Sequence, residues 1–246
     1  TVDDADTNSD TANLTLTIAA ESAPPAGDEV GIWRFDEGSG TTATDSSGNG
    51  NLGSILGDPS YVAGISNTAL SLDGNNDYIS IPDSSTLDVA DAITLDLWIN
   101  ANRTDEYYRL IERDGGTTGD RYWVLRLDKG GTLSFFLWDS GGSSHVVRTS
   151  ATISVGTWQH ITATYDGSRQ RIYINDVLRA EGSVDVFTIQ TGNQPVHLGG
   201  VLANFFFSGL MDEVTIQDTA IPPTPQSLPT TATASPLDVP QNDFQL

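Results

Sequence analysis

The sequence contains no cysteine among its 246 residues. This absence excludes a disulfide framework, a cysteine-containing zinc site and a thiol nucleophile. The sequence also lacks any apolar run close to the roughly 20 residues that cross a bilayer, so we expect no membrane insertion. It carries no signal peptide and begins with Thr1. We interpret it as a fragment of a longer secreted protein whose export signal lies upstream.

Basic residues are scarce. Eleven Lys and Arg stand against 33 Asp and Glu, which gives a formal net charge of -22. Binding to phosphate groups requires Lys and Arg, so this balance argues against nucleic acid and anionic lipid as partners. An acidic surface of this kind is typical of proteins from salty surroundings and also of ordinary exported proteins.

Short alternating segments separated by turn residues fill the middle of the chain. Alternation with a period of two is the pattern of half-buried strands. Glycine-rich turn signals lie between the segments, and no stretch keeps a helical period. The pattern predicts an all-β protein, a two-sheet antiparallel β-sandwich of the jelly-roll type. The clearest alternating segments are 93–99, 122–127, 133–138, 161–165 and 171–175.

Composition divides the chain into four parts. Residues 1–20 include one alternating segment and are interpreted as a remnant strand of a preceding immunoglobulin-like or cadherin-like repeat. Residues 21–29 combine Pro, Gly and charge and are interpreted as a linker. We expect the sandwich over residues 30–221 and a flexible tail rich in Pro and Thr over residues 222–246.

Several motifs occur in a recognisable order. They include IWRFDEGSG at 32–40, DSSGNGNLG at 45–53, LDGNNDYI at 72–79, WQHITATYDG at 158–167 and GLMDEV at 209–214. In this order the sequence resembles the laminin-G-like domains of the concanavalin-A-like lectin and glucanase superfamily, from about Val30 to Ile216. The resemblance implies two antiparallel sheets packed face to face, with both ends of the domain side by side. Members bind sugars, proteins or lipids, or serve as spacers.

A loop dense in oxygen donors, residues 45–51, predicts a calcium site. Calcium takes about six to eight oxygen ligands from carboxylates, amides and carbonyls. In similar domains a calcium ion lies where the chain ends meet, and the resemblance brings two further carboxylates to this loop. The predicted ligands of this structural calcium are Glu37, Asp45, Asn49, Asn51 and Asp212. The alternative is an Asx turn at Asp45 without a metal.

Strand alternation also predicts a ligand-binding sheet face. Segments 122–127 and 133–138 place one set of apolar residues in the core and leave aromatic and Arg side chains on the opposite face. Such a face suits a polysaccharide, because sugar rings stack on aromatic side chains and polar groups hold the hydroxyls. The predicted ligand residues are Tyr122, Arg126, Phe136, Trp138 and Arg113. A loop at 102–119, or the triple Phe at 205–207, is the alternative cover for this face.

Six arginines concentrate in residues 103–148 of this acidic chain. Because Arg presents a planar fork that suits carboxylate and sulfate, this concentration favours an anionic glycan. The alternative is that these arginines pair with the Asp and Glu residues interleaved among them. Both interpretations stay open from the sequence.

Catalysis is not expected. Glycosidases of this superfamily carry two or three carboxylates that alternate along one strand and face a cleft, and we expect no strand to carry such a Glu-x-Asp pattern. Adjacent Asp212 and Glu213 would face opposite sides of a strand. The leading hypothesis is therefore a non-catalytic carbohydrate-binding module with a structural calcium, joined to adjoining domains of the same polypeptide. The second is a structural or adhesive spacer of a bacterial surface adhesin, and the third is a polysaccharide-cleaving enzyme of the same fold.

Overall fold

The computed structural model describes residues 29–201 and 205–223. The expected remnant strand at 1–20, the linker up to residue 28 and the tail beyond residue 223 lie outside the described residues. Glu29, predicted as the last linker residue, already begins the first strand.

The described residues form sixteen β-strands and one 3-10 helix at Ser85–Leu87. In chain order the strands are β1 (Glu29–Trp33), β2 (Thr42–Ala43), β3 (Gly53–Leu56), β4 (Ser60–Ala63), β5 (Thr68–Asp73), β6 (Tyr78–Ile81), β7 (Ile93–Ala101), β8 (Tyr108–Asp114), β9 (Arg121–Leu127), β10 (Leu133–Trp138), β11 (Ser144–Arg148), β12 (Gln159–Tyr165), β13 (Gln170–Ile174), β14 (Val177–Glu181), β15 (Val196–Leu198) and β16 (Ser208–Gln217).

The strands form two antiparallel sheets of eight strands each. The A sheet has the order β14-β13-β12-β7-β16-β5-β4, and β1 pairs with β16 beside this path. The B sheet has the order β11-β10-β9-β8-β15-β6-β3-β2. The prediction of an all-β, two-sheet antiparallel sandwich is confirmed.

The hydrophobic core lies between the sheets and follows the alternation of the sequence. On β7, Leu95, Leu97 and Ile99 are fully buried, while the residues between them are half-buried. On β9, Leu125 and Leu127 meet the core in the same way. Each fully buried side chain of this size stabilises the folded state by about 1.5–3 kcal/mol, because its apolar surface leaves water. The period-two pattern therefore determines which face of each strand turns inward.

Both ends of the domain lie side by side in the A sheet. Strand β1 pairs with β16, with Trp33 opposite Val214. Trp33 is fully buried, and its Nε1–H donates to the carbonyl oxygen of Asn51 at 2.9 Å. This single side chain therefore joins the first strand to the 45–51 loop. The position of the two ends agrees with the expectation from the resemblance.

The segment 102–119, considered as a covering loop, contains a central strand. Strand β8 lies between β9 and β15 in the B sheet, and all seven of its residues are buried. Two β-bulges interrupt its register with β9. In the 205–207 triplet, Phe207 is buried in the core, and Phe205 and Phe206 are half-buried.

Candidate functional site

The outer face of the B sheet, which points away from the core, carries an aromatic pair. Phe136 and Trp138 are two residues apart on β10, so both project from this face. Their rings stack with centroids 5.9 Å apart and planes at 16° to each other. Phe136 is half-buried, whereas Trp138 is only 9% exposed. The pair is therefore present where it was expected but is more covered than an open stacking platform.

Guanidinium groups cover both rings. Arg121 lies 5.6 Å from the centroid of the Trp138 ring, and Arg126 lies 4.8 Å from that of Phe136. Arg148 on β11 approaches the Phe136 ring at 5.7 Å. Each cation–π contact stabilises the position of the guanidinium group over the ring by about 0.5–2 kcal/mol. Since arginine occupies the ring faces, the N–H edges of the guanidinium groups become the main recognition groups of this surface.

These side chains enclose a small cleft, which we call the Arg121 cleft. Its volume is about 90 Å³. Pockets that hold whole small molecules are larger, roughly 300–1,000 Å³. The Arg121 cleft therefore has room for a carboxylate or sulfate substituent rather than for a complete sugar ring. Its lining residues are Arg109, Asp114, Arg121, Arg126, Phe136 and Trp138.

Two arginines of the cleft share one buried carboxylate. Asp114 lies 3.3 Å from the Arg109 guanidinium and 3.5 Å from that of Arg121. Both Nε–H groups are buried and form no hydrogen bond among the described residues, although Arg121 Nε is the atom that lies 3.5 Å from Asp114 Oδ1. The Arg109 side chain is only 10% exposed, and a buried donor without an acceptor is costly. An anionic group in the cleft would supply acceptors to these donors.

The charge around the cleft is positive, in contrast to the acidic chain as a whole. Arg126 pairs with Asp128 at 2.6 Å, and Arg109 lies 3.2 Å from Glu112. Arg148 has no ion pair with an acidic side chain in the part of the chain that the structure describes. Four arginines therefore face three contacting carboxylates. The arginines are Arg109, Arg121, Arg126 and Arg148, and the carboxylates are Glu112, Asp114 and Asp128.

Three of the five predicted ligand residues meet at this cleft: Arg126, Phe136 and Trp138. The other two, Tyr122 and Arg113, are covered, at 2% and 1% exposure. The physical reason is the β-bulge between Arg113 and Asp114, which interrupts the strict alternation assumed from the sequence. Tyr122 therefore packs with the core, and its ring contacts the buried Arg113 guanidinium at 5.2 Å.

Arg113 holds loops together. Its guanidinium donates to the carbonyl oxygens of Leu87 at 2.6 Å and Gln194 at 2.9 Å, and also to that of Gly192. It pairs in addition with Asp83 at 2.6 Å and Asp88 at 2.8 Å. The two hypotheses for the clustered arginines, pairing within the protein and recognition of an anionic glycan, therefore apply to different residues. Arg113 is fully engaged within the protein, while Arg109 and Arg121 keep buried donors.

Sequence reasoning did not single out Arg121, Arg109 and Asp114 for this cleft. Acidic and basic residues are interleaved in 103–121, but their pairing depends on the register of β8 with β9. Asp114 lies opposite Arg121 only because of the bulge. A strand with alternating acidic and basic residues was the available signal.

The 45–51 loop, the centre of the calcium prediction, is organised by the carboxylate of Asp45. Asp45 Oδ1 accepts from the N–H groups of Ile32 at 3.0 Å and Ser47 at 2.9 Å. Asp45 Oδ2 accepts from the Ser47 hydroxyl at 2.9 Å and the Asn51 N–H at 2.8 Å. Burial alone would raise the pKa of Asp45, but these hydrogen bonds hold it below its ordinary value. This arrangement is the Asx turn of the alternative interpretation.

Asn49 and Asn51 lie in the same loop and direct their amide groups at β1. Asn49 Nδ2 donates to the carbonyl oxygen of Glu29 at 2.7 Å, and Asn51 Nδ2 donates to that of Val30 at 2.8 Å. Three of the predicted calcium ligands therefore share one loop, next to backbone carbonyl oxygens. Oxygen donors of these kinds are those that calcium prefers.

Glu37 and Asp212 have partners of their own. Glu37 accepts from the Thr44 N–H at 2.7 Å and the Tyr61 hydroxyl at 3.3 Å. Asp212 is fully buried on β16 and accepts from the N–H groups of 65–66 at 2.9 and 3.2 Å. Burial raises the pKa of Asp212 to about 6. These two carboxylates thus accept hydrogen bonds from donors outside residues 45–51, although the Thr44 donor to Glu37 lies directly beside the loop.

Different acidic residues line the space beside this loop. A cleft of about 270 Å³ next to Asn49 is lined by Glu29, Asp88 and Asp218 among others. Within residues 29–201 and 205–223, no three His, Asp or Glu side chains form a group arranged to hold a metal. A calcium ion at this loop would therefore need backbone carbonyls and water for most of its shell. Calcium binding stays a prediction.

The sequence matches a known protein family over the strands that form the Arg121 cleft. The model of a laminin-G-like family, described as the concanavalin A-like lectin/glucanases superfamily, matches residues 73–224. The chain belongs to this superfamily. The match covers the strands that build the Arg121 cleft and confirms the resemblance inferred from the ordered motifs. A comparison with curated proteins finds no match.

Solved structures similar to this superfamily member include several binding domains. The binding domain of Paraclostridial Mosquitocidal Protein 1 aligns with a TM-score of 0.67 and 20% identity, covering 79% of this chain and 49% of that one. The Botulinum Neurotoxin serotype G binding domain aligns with a TM-score of 0.63 and 18% identity, covering 78% of this chain and 48% of that one. This chain thus spans about half the length of these two domains. At these identities the likeness shows the fold alone.

A third structure matches over nearly its whole length. Domain 4 of AbnA, a GH43 extracellular arabinanase from Geobacillus stearothermophilus, was solved in complex with arabinotriose. It aligns with a TM-score of 0.62 and 24% identity, covering 81% of this chain and 95% of that one. The structural neighbours therefore include carbohydrate-binding and toxin receptor-binding domains.

The superfamily also contains glucanases, and strand β8 carries two carboxylates. Glu112 and Asp114 form a Glu-x-Asp pair, and the expectation that no strand carries such a pair is wrong. Their side chains are 0% and 1% exposed, and both contact Arg109. A glycosidase pair must reach the glycosidic bond from both sides. Both carboxylates are covered and ion-paired, Glu112 with Arg109 and Asp114 with Arg109 and Arg121.

Helices contribute little to this superfamily member. No helix in the described part of the chain has the length and apolar character needed to span a bilayer.

Proposed function

We propose that this chain is a non-catalytic carbohydrate-binding module of a secreted multidomain protein and that its ligand is an anionic polysaccharide. The observation that carries the proposal is a pair of buried arginine donors, the Nε–H groups of Arg109 and Arg121, at a cleft of about 90 Å³. A donor pair of this kind suits the carboxylate of a uronic acid or a sulfate ester. The similarity to an arabinanase domain solved with arabinotriose supports a carbohydrate as the ligand class.

Recognition would combine charge and shape. Arg121 and Arg126 lie over the rings of Trp138 and Phe136, so their guanidinium groups are positioned before a ligand arrives. Such preorganisation lowers the entropy lost on binding. The acidic substituent would enter the Arg121 cleft, while the rest of the sugar would stay outside it. Because the contacts are ionic and partly exposed, binding should weaken as salt rises.

Affinity electrophoresis and calorimetry with polygalacturonate, carrageenan and neutral galactan test this proposal. We expect the two anionic polymers to bind and galactan to bind far more weakly. Arg121→Ala and Arg126→Ala should each raise Kd at least about tenfold, since a charge-assisted hydrogen bond contributes about 1.5–3 kcal/mol. Arg126→Lys should recover only part of the affinity, because Lys lacks the planar fork.

Arg179→Ala is the matched control, because Arg179 is an exposed arginine on β14 of the other sheet. It removes the same charge from the whole molecule but not from the cleft. An equal loss of affinity in Arg179→Ala and Arg126→Ala would refute a localised site. Absence of binding to every anionic polymer by the folded wild type would refute the proposal itself.

A structural or adhesive spacer in a surface adhesin is the second candidate. The observation that favours it is the covering of Trp138, which leaves 9% of this side chain exposed. A face crowded by its own arginines needs no ligand in order to be stable. The polysaccharide experiment separates the two, since a spacer binds none of the polymers and its stability is unaffected by them.

A further inference from the structure

A second aromatic side chain stands on the outer face of the other sheet. Trp98 on β7 is half-buried, and it lies opposite His160 on β12. The indole and imidazole rings stack with centroids 4.8 Å apart and planes at 15°. An aromatic pair on an outer sheet face is not needed for the core, which lies on the opposite face of the same strands.

This pair lines an open cleft, which we call the Trp98 cleft. Its volume is about 450 Å³, within the range of roughly 300–1,000 Å³ for ligand pockets. It is about five times larger than the Arg121 cleft, so it has room for a whole sugar ring. The side chains that line it include those of Arg34, Asp96, Trp98, His160, Glu213 and Thr215.

The polar groups of the Trp98 cleft are held in place by one another. Asp96 Oδ1 bonds His160 Nε2 at 2.9 Å, and Asp96 Oδ2 accepts from the Thr162 hydroxyl at 2.6 Å. On another wall, Arg34 pairs with Glu213 at 2.6 Å. Side chains fixed in this way lose little entropy when they bind a ligand. The cleft is therefore preorganised without any ligand.

Charge selects the class of ligand. Asp96 and Glu213 line the cleft, and Asp176 adjoins it through His160 Nδ1 at 2.7 Å. The cations are His160 and Arg34, so carboxylates are in excess. This excess repels a uronic acid or a sulfated sugar, whereas uncharged sugar hydroxyls donate readily to carboxylate oxygens. Trp98 adds an apolar surface for the C–H groups of the ring.

We propose that the Trp98 cleft is a second glycan site, specific for uncharged sugar residues, on the sheet opposite to the Arg121 cleft. It shares no residue with the Arg121 cleft and does not depend on it. The chain would accordingly bind two chemically different glycan regions on its two sheet faces.

The test uses calorimetry with three neutral probes: linear arabinan, xylan and mixed-linkage β-glucan. Wild type should bind at least one of them, with an affinity that changes little with salt. Trp98→Ala should weaken that binding at least tenfold, because truncating an aromatic anchor removes its whole contact surface. Thr215→Arg should weaken it similarly by filling the cleft while leaving Trp98 in place. Circular dichroism and melting curves establish that both variants fold.

Tyr107→Ala is the matched control, because Tyr107 is an exposed aromatic that does not line the Trp98 cleft. It should leave neutral-glycan binding unchanged. Binding that survives both Trp98→Ala and Thr215→Arg, or absence of binding to all three probes, would overturn the proposal. Failure of polygalacturonate and carrageenan to bind would count only against the Arg121 cleft, since the two sets of probes differ in charge.

Discussion

At the scale of single residues, His160 on the A sheet lies between two carboxylates. Its two ring nitrogens bond Asp96 at 2.9 Å and Asp176 at 2.7 Å, and its side chain is 9% exposed. Burial alone would lower the pKa of His160, but the hydrogen bonds and charges of the two carboxylates raise it to about 9. The imidazole is therefore protonated at neutral pH and joins β7 and β12 to the turn after β13.

This shift predicts a pH-dependent stability. Because the folded pKa lies above the ordinary value of 6.5, the stabilisation is fully present below pH 6.5 and is lost as pH rises through 9. The shift corresponds to at most about 3 kcal/mol. Urea unfolding at pH 6, 7.5 and 9 should show the free energy of unfolding falling over this window. In His160→Gln that part of the fall should disappear, and parallel curves for the two proteins would contradict the assignment.

At the scale of elements, residues 182–190 form a strap that connects the edges of the two sheets. The Tyr165 hydroxyl on β12 accepts from the Phe187 N–H at 2.9 Å and lies 3.1 Å from the Asp185 carbonyl oxygen. The Phe187 ring stacks on Tyr165 at 4.5 Å and on His145 of β11 at 3.8 Å. This hydroxyl and this ring hold the strap together with backbone hydrogen bonds, such as those from Ile189 N–H to the Ala90 carbonyl oxygen and from Gln190 N–H to that of Trp138, both at 2.8 Å.

The strap predicts a local effect of Tyr165→Phe. Removing the hydroxyl leaves a backbone N–H and a carbonyl without their partner, which should cost about 1–3 kcal/mol. Hydrogen exchange should accelerate in residues 182–190 and stay unchanged in the β1–β16 pair, because the core ring is retained. Tyr173→Phe on β13 is the control and should change neither quantity. Uniformly faster exchange across both sheets would contradict a local role.

The sequence predicted the strands that alternate most clearly but not β8. Strands such as β7 and β10 alternate clearly, so their inner faces follow from the residues alone. Strand β8 reads Tyr-Arg-Leu-Ile-Glu-Arg-Asp and carries four charges, which resembles a loop. Its burial depends on partners elsewhere: Arg113 bonds the carbonyl oxygens of Leu87 and Gln194, and Asp114 meets Arg121. No local pattern predicts such contacts, because they form only between segments distant in sequence.

At the scale of the whole molecule, a net charge of -22 opposes compactness. Self-repulsion of this size is relieved by screening, so stability should rise with salt whatever the cation. A specific calcium ion would add a separate effect, because it binds the folded state and tethers the 45–51 loop to β1. The two effects must be separated by holding ionic strength constant.

We predict that calcium raises Tm beyond the effect of equal ionic strength of NaCl or MgCl2, and that chelation removes the difference. The physical reason is mass action on the folded state. Asn49→Ala should abolish the calcium-specific part, since Asn49 lies at the loop beside β1. Asp212→Asn should leave the calcium-specific part in place, because Asp212 accepts from the 65–66 backbone and not from the 45–51 loop. Identical melting curves in calcium and in matched NaCl would exclude the site.

The sequence by itself determined the two-sheet sandwich, the inward face of its clearest strands and the presence of arginine and aromatic residues in one region. These follow because alternation and turn residues act locally and the motifs occur in a fixed order. Only the tertiary structure decided which arginines are engaged within the protein and which line a cleft. Arg113 and Arg121 look alike in sequence, yet a bulge buries the first among carbonyl oxygens and places the second over Trp138. Charge pairing depends on strand register, and register is a property of the assembled sheets.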